Sequence, residues 1–139
     1  MIEIPREQLI RAAAEAARNA YIPYSHYPVG AALLTSDGCI ITGCNIENAS
    51  YPAGVCAERT ALVKAVSEGY RSFVALAVVT RDGGSPCGIC RQMLSEFGLE
   101  LVVIMASDDG RIHAEARLRE LLPLAFSAGS LTGTDDATP

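Results

Sequence analysis

The sequence predicts an α/β fold, a three-layer α/β/α sandwich built on a mixed five-stranded sheet. Three observations carry that expectation. Segments of helical spacing alternate with short apolar runs in the order α-β-β-α-β-α-β-β-α, a pattern that places helices on both faces of one sheet. Two of the runs, Phe73 to Thr80 and Leu101 to Ala106, lack polar alternation, as strands covered on both faces do. Turn signals at Ser36-Asp37-Gly38 and Ser107-Asp108-Asp109-Gly110 separate neighbouring runs, and the first of them sets up an antiparallel hairpin.

The elements follow in order. Pro5 suits a first helical turn, and Leu9, Ile10, Ala13, Ala16, Ala17 and Ala20 continue at helical spacing. So many alanines fit a helix lying close on a sheet. Tyr21-Ile22-Pro23-Tyr24-Ser25 breaks it. Val29 to Leu34 is the first strand and Cys39 to Thr42 the second. Asn45 to Gly54 is rich in loop formers and polar groups, the composition of a substrate loop. A helix is predicted from about Cys56 to Glu68, with Leu62, Ala65 and Val66 as its apolar stripe and Gly69 as its stop. After the strand Phe73 to Thr80, residues 81–85 form a loop. Cys90, Met93, Leu94 and Phe97 then mark a helix ended by Gly98. Ile112 to Ala114 supplies the fifth strand, and Leu118, Leu121 and Leu122 a short helix stopped by Pro123. A single domain is expected over 1–126. From Ser127 onward Gly, Thr, Ser, Asp and Pro dominate, so 127–139 is expected to be a flexible tail.

At 139 residues, half of them hydrophobic, the chain has length for one domain with a sizeable core. The formal net charge is -5, and no basic stripe of the kind that nucleic-acid binders carry is visible. No run is long and apolar enough to cross a membrane. Charged residues occupy the N-terminal stretch where a signal peptide needs its apolar run. The expectation is a cytoplasmic protein with neither nucleic acid nor membrane as partner. Its five cysteines are then metal ligands or buried thiols rather than disulfides.

Cys56-Ala57-Glu58-Arg59 and Pro86-Cys87-Gly88-Ile89-Cys90 carry the chemistry. A hydrolytic zinc site needs three protein ligands and an open fourth position for water. Bound zinc brings the pKa of its water to about 7, and Glu58, two residues from the first ligand, can move protons without binding the metal. Both motifs lie at predicted helix starts, where free N–H groups and partial positive charge favour the thiolate. Cys87 and Cys90 are three apart and face one way within a helical turn. Cys56 comes from another helix, and the two starts converge at one sheet edge if both helices follow neighbouring strands. Three thiolates on Zn²⁺ leave excess negative charge, which Arg59 can offset by donating to the sulfurs. Cys39 and Cys44 read as small buried hydrophobes, and His26 and His113 as hydrogen-bonded structural residues. A Cys-x-x-Cys redox pair would leave Cys56-Ala57-Glu58 unexplained. A structural zinc would want a fourth protein ligand, for which Cys44 is the plausible residue.

The spacing matches the zinc nucleobase deaminase pattern H-x-E…P-C-x-x-C, with Cys in the first position. Tyr24-Ser25-His26-Tyr27-Pro28-Val29-Gly30-Ala31-Ala32-Leu33, Gly43-Cys44-Asn45-Ile46-Glu47-Asn48-Ala49-Ser50-Tyr51-Pro52, Cys56-Ala57-Glu58-Arg59-Thr60-Ala61 and Pro86-Cys87-Gly88-Ile89-Cys90-Arg91-Gln92 occur in order. With these four motifs the chain resembles the small homotetrameric cytidine deaminases, from about Gln8 to Phe126. The resemblance implies the three-layer fold and one zinc per chain on Cys56, Cys87 and Cys90, with Arg59 paired to the thiols. It implies hydrolysis of cytidine and 2′-deoxycytidine to the uridine forms and ammonia, in pyrimidine salvage. Zinc-bound hydroxide would attack C4 while Glu58 carries protons to N3 and to the leaving amine. Asn45 and Glu47 would hold the ribose and its 3′-hydroxyl, with Tyr51 beside them, and the Ala57 N–H would hold the base. Tyr27 stands where the family often has Phe. It can pack on the base, and its hydroxyl needs a partner when buried. Phe126 would reach a neighbouring subunit's substrate in a homotetramer with shared sites. Three rivals remain. A deaminase of a blasticidin S type antibiotic also uses three Cys, but Asn45-Ile46-Glu47-Asn48 looks like the ribose-binding form. Polynucleotide editing has little chain left for a channel and an unfavourable charge. A zinc-stabilised binding module would lack turnover.

Overall fold

The computed structural model describes residues 2–133. It contains α1 (Arg6–Ala17), β1 (Gly30–Thr35), β2 (Ile40–Cys44), α2 (Ala57–Ser67), β3 (Phe73–Thr80), α3 (Gly88–Ser95), β4 (Val102–Ser107), β5 (Ile112–Arg117), α4 (Leu118–Leu121) and α5 (Ala128–Thr132), with a 3₁₀ turn at Tyr51–Ala53. The five strands lie in the order β2-β1-β3-β4-β5. Only β3 and β4 pair in parallel; the other neighbours are antiparallel. The expected mixed sheet is therefore present.

Side chains alternate across the strands and build two cores. Ala32, Leu34, Ala75, Ala77 and Ile104 face α1, which buries Leu9, Ile10 and Ala13 against them. Ala31, Leu33, Leu76, Val78 and Val103 face the other way, against Ala57, Ala61, Leu62 and Ala65 of α2, Leu94 of α3 and Leu118 of α4. Two glycines let helix backbone approach the sheet. A Cβ on Gly30 would lie 1.8 Å from the Ala13 carbonyl oxygen, and one on Gly43 would lie 2.5 Å from the Ala61 nitrogen. Gly43 thus lets the start of α2 pack hard on β2.

The strand directions fix where the loops gather. Both β2 and β3 run antiparallel to β1, so both end at the same sheet edge. In register, Cys44, Gly30, Val79 and Ala106 form one row at that edge. The chain leaving β2 leads to α2, and the chain leaving β3 leads to α3. Their parent strands are not neighbours, as the sequence reading assumed, because β1 lies between them; the common direction of β2 and β3 still brings both helix starts to one edge.

Two expectations are corrected. Cys39 is exposed and Cys44 half-buried, because Cys39 belongs to the turn before β2 rather than to the strand; its Sγ lies 3.3 Å from the Tyr70 hydroxyl. The last strand continues to Arg117, paired with β4 through one register shift at Met105/Ala106, and carries exposed charged side chains such as Glu115, which forms an ion pair with Arg6 at 2.7 Å. Such charges protect an exposed sheet edge and mask the strand pattern. Residues 128–132, within the segment expected to be a flexible tail, form α5, closed by Gly133 at φ 76°; residues 134–139 of that segment lie outside the described residues. Among the described residues no helix is long and apolar enough to cross a membrane.

Candidate active site

Cys56 is the N-cap of α2 and Cys87 the N-cap of α3. Both have extended backbone, so each side chain stands at the mouth of its helix, where backbone N–H groups lack partners within the helix. Cys90 is one turn further into α3 and buried. The sulfurs of Cys56 and Cys87 are 3.7 Å apart, those of Cys87 and Cys90 3.5 Å, and all three lie within 4.8 Å of one another. Zinc holds Cys sulfur at about 2.3 Å in a tetrahedron, whose S–S edges are then about 3.8 Å. The three thiols fit that metal and leave one corner for another ligand.

The electrostatics agree with the fit. The Cys56 thiol is pushed down to about 5, first by the hydrogen bond from the Cys90 thiol and then, against the cost of burial, by Arg59 and Cys87. Cys90, as the donor to Cys56 and buried besides, is held well above the usual thiol range. Arg59 turns back along the first turn of α2, donating to the Gly54 carbonyl at 3.4 Å and to Cys56 Sγ at 3.7 Å. Its Nε is buried without a hydrogen-bond partner among the described residues. A guanidinium held there can offset negative charge on the sulfurs. Glu58 is 4 % exposed. Burial, with a smaller push from Cys56, raises its carboxyl to about 7. A carboxyl so placed can take and return a proton near neutral pH. Ala57, at the first position of α2, is fully buried.

Gly54, two residues before Cys56, lines a loop cleft of about 420 Å³ together with Tyr24, Ser25, Glu47, Asn48 and Tyr51. The Tyr24 and Tyr51 rings meet edge to face, 6.2 Å between centroids. Glu47 accepts the N–H groups of Tyr24 at 3.0 Å and Ser25 at 3.1 Å, and the Ser25 hydroxyl. These bonds, the hydroxyl first, hold its carboxyl below the usual range. Asn45 accepts the Val29 N–H at 2.9 Å and donates to the Tyr27 carbonyl at 2.8 Å. Both residues therefore brace the segment 24–29, and each keeps spare capacity, since a carboxylate offers about four lone-pair sites and an amide two N–H bonds. The Tyr27 hydroxyl donates to Asp82 at 2.5 Å, while the Arg81 guanidinium covers the ring at 5.0 Å. Phe126 has its carbonyl held by Gln92 Nε2 at 3.0 Å and its ring 58 % exposed.

Comparison with known proteins decides what this arrangement belongs to. The family model for the cytidine and deoxycytidylate deaminase zinc-binding region matches residues 4–106. A cytidine deaminase of Sporosarcina psychrophila is 51% identical over 129 residues, 91% of this chain and 94% of the relative. The chain belongs to the cytidine deaminase family. The crystal structure of cytidine deaminase from Burkholderia pseudomallei superimposes with a TM-score of 0.84 at 46% identity, covering 88% of this chain and all of the other. A blasticidin-S deaminase from Bacillus cereus is more distant, 30% identical over 86% of this chain and 91% of the relative. A cytidine deaminase zinc-binding region and a three-thiol cluster of zinc dimensions thus coincide in one place.

The motif reading of this family member missed several supporting residues. Arg91 donates to the Pro86 carbonyl at 2.8 Å, the Ser85 hydroxyl at 2.6 Å and the Leu121 carbonyl at 2.6 Å, clamping the turn before Cys87 to α4. Ser25, through its hydroxyl, links Glu47 to the Tyr27 N–H at 3.0 Å. Both lie inside the motifs that carry the resemblance, which is the signal that could have raised them. Asp82 lies outside them and had none.

Proposed function

We propose that the chain is a zinc-dependent cytidine deaminase that hydrolyses cytidine and 2′-deoxycytidine to uridine and 2′-deoxyuridine, releasing ammonia. The observation that carries this reading is the buried Glu58 carboxyl beside three converging thiols at two helix starts. Cys56, Cys87 and Cys90 hold the metal. When bound, zinc supplies Lewis acidity that lowers the pKa of water at the open corner. Glu58 takes the proton of the attacking water, delivers it to N3 as oxygen adds to C4, and returns a proton to the amine as the C4–N bond breaks. Arg59 balances the sulfur charge. The Ala57 N–H, free at the helix start, orients the base.

On the other side of the cleft, Asn45 and Glu47 take the ribose hydroxyls with the capacity left after bracing residues 24–29, and Tyr51 borders the sugar. The Tyr27 and Phe126 rings supply apolar surface for the base. Leu124, Phe126 and Leu131 are exposed on the C-terminal segment, which supports assembly into a homotetramer in which Phe126 completes a neighbour's site. The reading places the enzyme in the cytoplasm, in pyrimidine salvage.

The test is metal analysis combined with the fall in cytidine absorbance on deamination. One zinc per chain with turnover of cytidine and 2′-deoxycytidine is the expected result. Zinc without turnover of either nucleoside would overturn it in favour of a binding module, and turnover confined to blasticidin S would move it to the antibiotic.

A further inference from the structure

We propose that the Tyr27 hydroxyl is a positioning group, tying the nucleoside side of the site through Asp82 to the loop that delivers Cys87. This role rests on the reading of Cys56, Cys87 and Cys90 as the zinc ligands and concerns how one of them is held.

The tie is a continuous chain of hydrogen bonds. At its near end, the Glu47 carboxylate holds the Ser25 hydroxyl, whose oxygen accepts the Tyr27 N–H at 3.0 Å. Asn45 holds the Tyr27 carbonyl at 2.8 Å. The backbone of Tyr27 is therefore set by the loop after β2. Its side chain then crosses to a segment 55 residues further on, donating to Asp82 Oδ1 at 2.5 Å. The same oxygen accepts the Thr80 hydroxyl at 3.1 Å, and the Thr80 oxygen accepts the Gly84 N–H at 2.7 Å. A second link runs alongside: Arg81 lies 5.0 Å from the Tyr27 ring centroid and donates to the His26 carbonyl at 2.6 Å.

The segment so tied needs tying. It contains Gly83, at φ 77°, and Gly84, residues with unusual backbone freedom. Close approach fits it to its partners. A Cβ on Gly84 would stand 3.2 Å from the Tyr27 hydroxyl, and one on Gly83 would stand 2.5 Å from the His113 ring. Two residues beyond Gly84 comes Pro86, and then Cys87. Downstream, Arg91 secures Pro86 and Ser85. Upstream, the side-chain anchors that cross from the nucleoside side are Tyr27 and Arg81. Phenylalanine at position 27 would keep the ring, its contact with Arg81 and its surface for a base, and would remove the link to Asp82 alone.

The experiment uses the zinc-loaded full chain and reads the rate at which zinc passes to excess chelator carrying an absorbance signal. Tyr27→Phe, Asp82→Ala, the double variant and Asp82→Asn are compared with wild type. Arg6→Ala, which breaks the ion pair between α1 and β5, controls for general loosening. Tyr27→Phe is expected to speed release about fivefold, the scale of one hydrogen bond, and Asp82→Ala, which also frees the Thr80 hydroxyl, at least as much. The double variant should be no faster than Asp82→Ala, because that change already breaks the link that Tyr27→Phe removes. Asp82→Asn keeps an acceptor and should stay close to wild type, as should Arg6→Ala. Release at the wild-type rate in Tyr27→Phe overturns the proposal. So do effects that multiply in the double variant, or equal acceleration in Arg6→Ala. A wild-type protein that takes up no zinc would instead overturn the metal-site reading itself.

Discussion

Glu58 is 4 % exposed and Cys90 is buried, whereas Tyr51 is 79 % and Phe126 58 % exposed. The metal half and the nucleoside half of the site are built by different means. Thiols and carboxyl stand on the first turns of two helices that a continuous apolar core presses onto the sheet. Glu47, Asn45 and Tyr27 stand on loops held to one another by side-chain hydrogen bonds. In the single chain Glu58 and Cys90 are enclosed, Cys56 is half-buried and Cys87 exposed, while Tyr24, Tyr51 and Phe126 keep exposed aromatic surface. The Glu58 carboxyl and the Cys90 thiol are placed where packing is dense and rotamers are few. The proposed nucleoside-binding residues stand where the single chain leaves side chains open.

The comparison breaks most sharply on the metal side. Cys56→Ala, Cys87→Ala or Cys90→Ala should remove zinc and activity together, with bound metal counted by atomic absorption; full zinc retention in the triple variant would end the assignment. Glu58→Gln should then separate binding from proton transfer. It keeps shape and hydrogen bonding, so zinc content and fold should persist. One general acid–base group is commonly worth about 10²–10⁴-fold in rate, and a group serving several transfers belongs at the upper end. Turnover within a few-fold of wild type would show that Glu58 does not carry the proton.

Much of the metal half was legible in the sequence because chemistry and spacing coincide there. Cys-x-Glu and Cys-x-x-Cys name the donors, and apolar runs with glycine stops place the helices and strands around them. Sheet order was not legible. Nothing in the residues says that β1 lies between β2 and β3, because that depends on long-range pairing. The extent of β5 was hidden by His113, Glu115 and Arg117, which suit a solvent-facing edge as well as a loop. The nucleoside half was legible only as a set of residue types. That Glu47 spends three bonds on residues 24–25, or that Tyr27 meets Asp82, depends on loops meeting in space, and polar surface residues leave no periodic trace of that.

Glu47→Ala sharpens the contrast at intermediate scale. Loss of a charge-assisted hydrogen bond to the sugar should lower kcat/KM for cytidine about 10- to 100-fold. Free cytosine has no sugar to lose contact with and should suffer less. Because Glu47 also braces Tyr24 and Ser25, some loss on cytosine is expected, and the ratio of the two losses is the quantity to measure. Equal losses would assign Glu47 to bracing alone.

The smallest effect concerns Phe126 and asks whether the open half is closed by another chain. Its carbonyl is anchored to Gln92 of α3, which fixes the backbone but leaves the ring facing solvent. An aromatic contact to a base is worth about three- to tenfold in binding, so Phe126→Ala should weaken catalysis on that scale while Glu58→Ala abolishes it. The two variants are unfolded, mixed and reassembled. If Phe126 serves a neighbour's site, some mixed assemblies place the intact Glu58 of one chain beside the intact Phe126 of another. Those sites regain full competence, and activity rises above the sum of the two proteins reassembled separately. If Phe126 serves its own chain, every site in the mixture lacks one group and mixing gains nothing. Size-exclusion chromatography of Phe126→Ala comes first, because loss of interface packing would lower activity by dissolving the assembly. With the assembly intact, absence of any gain places the ring in its own chain's site, and the nucleoside half would then be closed by the substrate alone.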